Sequence, residues 1–436
     1  MKVFKFGGAS VNSADAVRNM AHIVQSHLES EPLVVVVSAM GKTTNLLEKL
    51  VPDSVPATCT PLVPGSSDEP TVRQLRQQLE DYHLEIAKSL IPNDEELVAK
   101  VLTLLHQLDD TIQSLTQSHN NAITHYNYYY DQVVSYGEII STTIIAHYLN
   151  HLGINTLWAD ARQLIRTDNH YREGRVDWAA TQTAVNSQFS NLNSQLVITQ
   201  GFIGGNSGGT TTLGREGSDY SAAILAYCLG AESITIWKDV PGFLNADPKF
   251  FRDTVKISQI PYNEAIELAY YGASVIHPKT VKPLQNKGIP LYIRSFVTPE
   301  SEGSSIGNYH TISPETPLYI FKNNQILLSI LPRDYSFIAE DNLQVIFGIL
   351  NELGIRVNLM QNSALSFSIC IDNNPHLVPS LIKKLSAMFR VRYNDNLQLI
   401  TIRYYTQQVI DSIVAARPIL LEQRSRSTEQ LIVPCK

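Results

Sequence analysis

The chain has 436 residues, 44% hydrophobic and 17% charged, enough for roughly two or three domains each with its own core. Its 34 basic residues against 41 acidic ones leave a net charge of −7 with no long basic run, which favours small-molecule chemistry over nucleic-acid binding. No apolar run reaches the ~20 residues that cross a bilayer, and Met1-Lys2-Val3-Phe4-Lys5 leads into no signal-peptide core, so a cytoplasmic protein without membrane association is expected. Cys59, Cys228, Cys370 and Cys435 lack the spacing of a zinc site or a disulfide framework and are expected to be reduced.

The first predicted strand, Val3 to Phe6, carries Lys5 between apolar neighbours and runs into Gly7-Gly8. An ammonium there needs either an anion or a route to solvent, and two glycines let a ligand approach the backbone. Lys5 is therefore a phosphate-contact candidate, with an edge-strand lysine as the local alternative. Leu33 to Val37 is the second strand and opens into Ser38, Ala39 and Gly41, with Thr44 near a helix start. Gly41-Lys42-Thr43-Thr44 is not a P-loop, because Val36 stands where that motif needs glycine. Hydroxyls at a strand's carboxyl end suit a small polar substrate, although a capped turn explains Ser38 equally well.

Val51 to Pro70 is rich in Pro, Ser, Thr and Asp and reads as a flexible loop, followed by helical spacing at Val72, Leu75, Leu79, Ile86 and Leu90. Ser135-Tyr136-Gly137-Glu138 starts another helix. An acid in a first turn is favourable by dipole alone, but Glu138 is also a candidate to receive a substrate ammonium.

Leu196 to Thr199 reads as a buried strand, and Tyr220 to Leu229 as a helix. Before that helix runs Gly209-Thr210-Thr211-Thr212-Leu213-Gly214-Arg215-Glu216-Gly217-Ser218-Asp219, read as one loop whose amides and hydroxyls offer an anion site at the helix start. Arg215 adds a planar donor fork. Asp219 adds a carboxylate, or on its own an ordinary N-cap. Ser233 to Trp237 and Pro290 to Arg294 complete the predicted strands, and their alternation with helices argues for a largely parallel sheet. Lys238-Asp239 through Asp247-Pro248-Lys249 is turn-rich at a strand's carboxyl end, the usual place for a nucleotide. His277 before Pro278 reads as a structural histidine. No Gly-x-Gly-x-x-Gly follows the early strands, which argues against a nicotinamide dehydrogenase.

Ser301 to Glu315, small, polar and broken by proline, is the candidate linker. Beyond it, strands at Ile326 to Ile330, Arg356 to Met360 and Leu365 to Ile371 alternate with helices through Leu343 to Leu353 and Val378 to Phe389, the order of a ferredoxin-like unit. Gln398 to Ile402 echoes Gln325 to Ser329 at an offset of 73 residues (398 minus 325), so a second, shorter copy is expected. An open sheet edge then predicts dimerisation.

Together these segments resemble the aspartate kinases of the amino-acid kinase superfamily over nearly the whole chain. The carrying residues are Lys5-Phe6-Gly7-Gly8-Ala9-Ser10-Val11, Val37-Ser38-Ala39-Met40-Gly41, Gly137-Glu138, Thr211 through Ala223, and Asp247-Pro248. The resemblance implies an α/β amino-acid kinase fold over 1–305, an α+β ACT-like regulatory domain over 306–396 and a shorter ACT-like unit over 397–436. It implies phosphorylation of the L-aspartate side-chain carboxylate by ATP with Mg²⁺, with no dedicated protein metal site. Lys5 would contact the transferring phosphoryl group and Asp219 would orient that lysine. Ser38, Thr44, Glu138, Arg215 and Ser218 would hold aspartate. Gly7, Gly8, Lys238, Asp239, Leu244, Lys249 and Ser274 would line the nucleotide site. A lysine or threonine effector, a homodimer through the ACT domains and no fused dehydrogenase are also implied.

Four positions depart from the commonest pattern: Ala9 and Lys238 stand for threonine, Glu216 for glycine and Ser274 for lysine. Lys238 and Lys279 are the candidates to replace the last charge. Two other readings stay open, a glutamate or acetylglutamate kinase and an amino-acid sensor without turnover.

Overall fold

The computed structural model describes residues 1–28, 32–51, 69–117, 125–190, 194–251, 253–273, 276–334 and 336–435. The chain divides into two compact units, one of Met1–Phe243, Lys256–Ile266 and Val275–Ser313, the other of Leu244–Val255, Glu267–Ser274 and Pro314–Lys436.

The first unit is built on an eight-stranded sheet. Its order is Gln259–Pro261, Ser304–Gly307, Leu291–Ser295, Ser233–Lys238, Lys2–Phe6, Leu33–Val37, Leu196–Gln200 and Thr156–Ala159. All neighbouring pairs are parallel except Leu291–Ser295 with Ser304–Gly307. Strands covered on both faces need unbroken apolar runs, and Leu33–Val37 is buried at every position. Burying each of those valines contributes roughly 1.5–3 kcal/mol. Phe6 stacks on Trp237 at 6.0 Å between ring centroids, locking the central pair of strands.

Register positions the chemistry. Lys5 lies opposite Val36 on one side and Ile236 on the other, so Ser38 and Lys238 fall at the same carboxyl edge. The helices Glu69–Leu90 and Glu95–Gln117 contribute Ile86, Leu90, Leu97, Val101 and Leu105 to the core beside those strands. The second of these helices was not anticipated. Most of the flexible loop expected between Val51 and Pro70 lies outside the described residues.

Two expectations need correction. The stretch from Gly209 to Asp219 is not one loop: Gly209–Thr212 is a strand paired antiparallel with Ile203–Asn206, and the helix starts at Gly217. Thr and Gly at this density hide a short strand because neither supplies an apolar alternation. Nor is Ser301 to Glu315 a free linker. Ser304–Gly307 is a fully buried sheet strand, held by Ser305 N donating to Ser258 O at 2.8 Å.

The second unit contains a six-stranded antiparallel sheet in the order Val357–Asn362, Phe367–Asp372, Leu318–Pro332, Phe389–Arg403, Thr428–Pro434 and Leu421–Arg424. The helices Glu340–Glu352 and Val378–Met388 cover one face through Ile346, Leu350, Leu381 and Leu385. Gln407–Val414 packs Ile410 and Val414 against Ile400 and Ile402. The repeated segments at 325 and 398 lie in the two long central strands, each interrupted by an asparagine at φ 53°, Asn324 and Asn396. The strand Phe389–Arg403 continues on both sides of residue 396, with its register against Leu318–Pro332 shifting between Gln325 and Leu327. No helix among the described residues is long and apolar enough to cross a membrane.

Candidate active site

The carboxyl edge of the central strands opens into a cavity of about 850 Å³. At one end Lys5 Nζ meets Asp219 Oδ1 at 2.7 Å, and Lys238 Nζ approaches the other carboxylate oxygen at 3.5 Å. Asp219 is the third residue of the Gly217–Leu229 helix and is buried. Burial alone would push its carboxyl up; the two ammonium groups outweigh that and hold it below the ordinary aspartate value. The residue that opens the helix is Glu216, in the left-handed region at φ 54°. Its half-buried carboxyl is raised by desolvation, against the pull of Lys238, and its Oε2 is buried without a hydrogen-bond partner.

Gly7 lies beside the Lys5 ammonium, where a Cβ would be 3.4 Å from Nζ. A Cβ on Gly8 would lie 2.8 Å from Gly41 O and 2.9 Å from Ala39 O, so only glycine lets the first turn pack on the 39–41 loop. Gly41 N donates to Gly8 O at 3.0 Å and fixes that contact.

Glu138 also lines the cavity, in the first turn of the Tyr136–His151 helix and 2% exposed. Its Oε1 accepts from Ala39 N at 3.4 Å, while Oε2 has no hydrogen-bond partner. Burial pushes its carboxyl up to about 8. An orphaned, desolvated carboxyl in a cavity wall is chemically suited to a cation that arrives with a ligand. The same helix donates from Ser141 Oγ to Ser38 O at 2.8 Å, holding the strand end in place.

Sequence reasoning missed a third group. Asp131, buried inside the His125–Val134 helix, accepts from Thr212 N at 2.8 Å, Thr212 Oγ1 at 2.7 Å and Arg172 N at 2.8 Å. Burial pushes its carboxyl up to about 6, against the lowering effect of those donors. One acid thus ties the strand leading to Arg215 and the loop carrying Arg172 to a single helix. The available signal was an aspartate among tyrosines and valines in Tyr128-Tyr129-Tyr130-Asp131-Gln132-Val133-Val134.

Of the residues singled out from sequence, Lys5, Thr44, Glu138, Arg215, Ser218, Asp219 and Lys238 all line this one cavity. Ser38, Gly7 and Gly8 adjoin it in the backbone without lining it. Asp239 is exposed in the turn after Lys238. Leu244 and Lys249 belong to the second compact unit, and Lys249 is exposed. Ser274 lies outside the described residues. Lys279 is exposed and does not line the cavity, so Lys238 is the one of the two replacement cations that reaches Asp219. The His277 ring accepts from Lys279 N at 3.2 Å as the cap of the Pro278–Lys287 helix, a structural role.

Comparison with known proteins follows the same lines. The pattern of the amino acid kinase family matches residues 1–295. Lysine-sensitive aspartokinase 3 of Escherichia coli is 33% identical over 92% of this chain and 86% of its own length. Chloroplastic aspartokinase 1 of Arabidopsis thaliana is 31% identical over 85% of this chain and 63% of its own. The crystal structure of E. coli aspartokinase III with aspartate and ADP superposes with a TM-score of 0.80 at 29% identity, covering 100% of this chain and 96% of that one. The form of that enzyme holding lysine and aspartate gives the same values.

Proposed function

The chain belongs to the amino acid kinase family and, within it, to the aspartokinases, and on that premise we propose that its cavity transfers the terminal phosphoryl group of ATP to the side-chain carboxylate of L-aspartate. The products are ADP and 4-phospho-L-aspartate, the first step toward lysine, threonine and methionine. One observation carries this reading: Lys5 and Arg215, far apart in sequence, line a single cavity together with the orphaned carboxyl of Glu138.

The acceptor carboxylate is ionised at neutral pH, so the protein needs alignment and charge stabilisation more than a base. Lys5, held by Asp219, faces the transferring phosphoryl group. Lys238 adds a second positive charge, and the helix that begins at Gly217 turns its positive dipole end toward the same region. Arg215 grips a substrate carboxylate through paired N–H donors, Glu138 takes the ammonium and ionises as it does so, and Ser38, Thr44 and Ser218 supply hydroxyls. Gly7 and Gly8 give the nucleotide phosphates room, with Asp239 assigned to the rest of the nucleotide.

The donor set fits a metal that arrives on the nucleotide. Mg²⁺ is usually bound through one or two carboxylates plus phosphate and water oxygens, and Glu216, whose Oε2 is unpartnered near Lys238, would be a carboxylate able to hold it. The ion would neutralise phosphate charge during transfer.

The six-stranded sheet of the second unit supports two further assignments: an effector amino acid, lysine before threonine, bound at the ACT-like units, and a homodimer that covers the open edges at Val357–Asn362 or Leu421–Arg424. A cytoplasmic location accompanies them. The test is ADP release with aspartate, glutamate and acetylglutamate in parallel, each with and without lysine or threonine. Saturable dependence on aspartate and loss of activity with lysine are expected; ADP release indifferent to aspartate would overturn the assignment.

A further inference from the structure

Two residues of the helix Glu69–Leu90, neither of them among those the sequence pointed to, reach the turn that follows the strand Leu33–Val37. Tyr82 lies against its crest. Gly41 is in the left-handed region at φ 55°, and a Cβ there would lie 2.6 Å from Tyr82 Oη, so glycine lets the turn pass beside the phenol. The same hydroxyl donates to Asn12 O at 2.8 Å, tying the helix to the residue that follows the Gly8–Val11 turn.

His83 reaches further in and is 0% exposed. Its Nδ1 lies 2.7 Å from Leu79 O; a carbonyl only accepts, so Nδ1 carries the proton. Burial pushes the imidazolium down to about 4, so the ring is neutral at neutral pH and Nε2 is an acceptor. That nitrogen lies 3.4 Å from Thr43 Oγ1, which donates to Met40 O at 2.6 Å. Both partners of the hydroxyl accept, so its one proton is held between them and the Thr43 side chain is fixed. Thr43 opens the helix Thr43–Glu48, whose second residue, Thr44, lines the cavity. Its methyl group meets the helix that carries Glu138: a Cβ on Gly137 would lie 3.3 Å from Thr43 Cγ2, 3.2 Å from Leu47 Cδ1 and 3.0 Å from Ala39 Cβ. Ala39 N in turn donates to Glu138 Oε1. One threonine therefore stands between His83 and two groups of the cavity wall.

We propose that His83 is a positioning residue for the acceptor, acting through Thr43 to hold Thr44 and Glu138 where aspartate meets them. The proposal rests on the aspartate reading above. It makes the helix Glu69–Leu90 the back wall of the acceptor site.

The test is steady-state ADP release by the full chain and its His83→Leu, His83→Gln, Thr43→Val and combined His83→Leu/Thr43→Val variants, with aspartate and ATP varied separately and thermal melting of each as the check on folding. Loss of one buried hydrogen-bonding partner predicts kcat/KM for aspartate falling about threefold to tenfold in His83→Leu, with KM for ATP within about twofold. Glutamine brings an amide oxygen near the Nε2 position, so His83→Gln should recover most of the loss. Thr43→Val should reproduce the aspartate defect, and the combined variant should be little worse than Thr43→Val alone, because the two residues act in series. If His83→Leu does not fold, Thr43→Val with the aspartate defect upholds the proposal and Thr43→Val without it overturns it. Additive losses, an equal rise in the ATP KM, or unchanged aspartate kinetics in folded variants overturn the proposal alone. A wild type without aspartate-dependent turnover overturns the aspartate reading and the proposal with it.

Discussion

Lys5 and Asp219 form an ion pair at 2.7 Å that joins the first strand of the central sheet to the first turn of the Gly217–Leu229 helix. Both are buried, and the ammonium groups of Lys5 and Lys238 outweigh burial to hold the Asp219 carboxyl below its ordinary value. The pair explains why a lysine is tolerated inside the apolar strand Lys2–Phe6, and with Lys238 it leaves two ammonium groups sharing one carboxylate beside an open cavity.

Replacing Lys5 with methionine keeps the volume and removes the charge. Turnover is expected to fall about a hundredfold to a thousandfold, the range seen when one donor to a developing anion is lost. Asp219→Asn removes the buried carboxylate that pairs with Lys5 and should destabilise the protein by about 3 kcal/mol. ADP release and denaturant unfolding check the two effects.

Glu138 makes stability and binding depend on pH. Its carboxyl titrates at the ordinary 4.5 when unfolded and at about 8 when folded. Between those values the folded protein holds a proton that the unfolded chain has lost, so stability falls as pH rises through the window and levels off above it. The slope is about 1.4 kcal/mol per pH unit inside the window. Urea unfolding at several pH values should show this slope diminished in Glu138→Gln, leaving the smaller contribution of Asp131, whose carboxyl is pushed up to about 6. Calorimetry in buffers of different ionisation enthalpy should register proton release when aspartate binds the wild type near pH 7.

Glu216→Gly removes a side chain from a left-handed backbone position and a half-buried carboxyl from the helix start. A gain of about 1 kcal/mol in unfolding free energy is expected, because the αL penalty for a residue with a Cβ exceeds the entropy glycine loses on folding. Equilibrium unfolding measures it directly. An unchanged or lower midpoint would mean that the carboxyl contributes more than the strain costs.

Gly8→Ala forces a methyl group toward two backbone oxygens that cannot move aside as a flexible side chain would. A loss of about 1–3 kcal/mol in stability is expected, with weaker ATP binding as the 39–41 loop is pushed away. Nucleotide titration and thermal melting of the same variant separate the two.

Much of this arrangement was legible because the central strands are unbroken apolar runs and the site residues interrupt them. Lys5 in Lys2–Phe6 announces itself by polarity inside an apolar strand, whereas an acid at a helix start such as Glu138 is ordinary by itself and stood out through the resemblance. The predicted strands starting at Leu33, Leu196, Ser233 and Pro290 all enter one sheet, and the ferredoxin-like order appears in the second. What stayed hidden depends on tertiary contact. Ser304–Gly307 is a strand only because the sheet receives it, and its residues carry little strand propensity. The placement of Arg172 is set by Asp131, 41 residues earlier in the chain, and the left-handed turn at Glu216 leaves no mark in the sequence itself.

The most direct measurement is trapping of the product. An acyl phosphate reacts with hydroxylamine, so incubation with ATP, Mg²⁺, aspartate and hydroxylamine should yield the side-chain hydroxamate of aspartate, identified by mass spectrometry, and Lys5→Met should yield almost none. ADP formation without that hydroxamate, or equal hydroxamate from Lys5→Met, would contradict the transfer of phosphate to the aspartate side chain at this cavity.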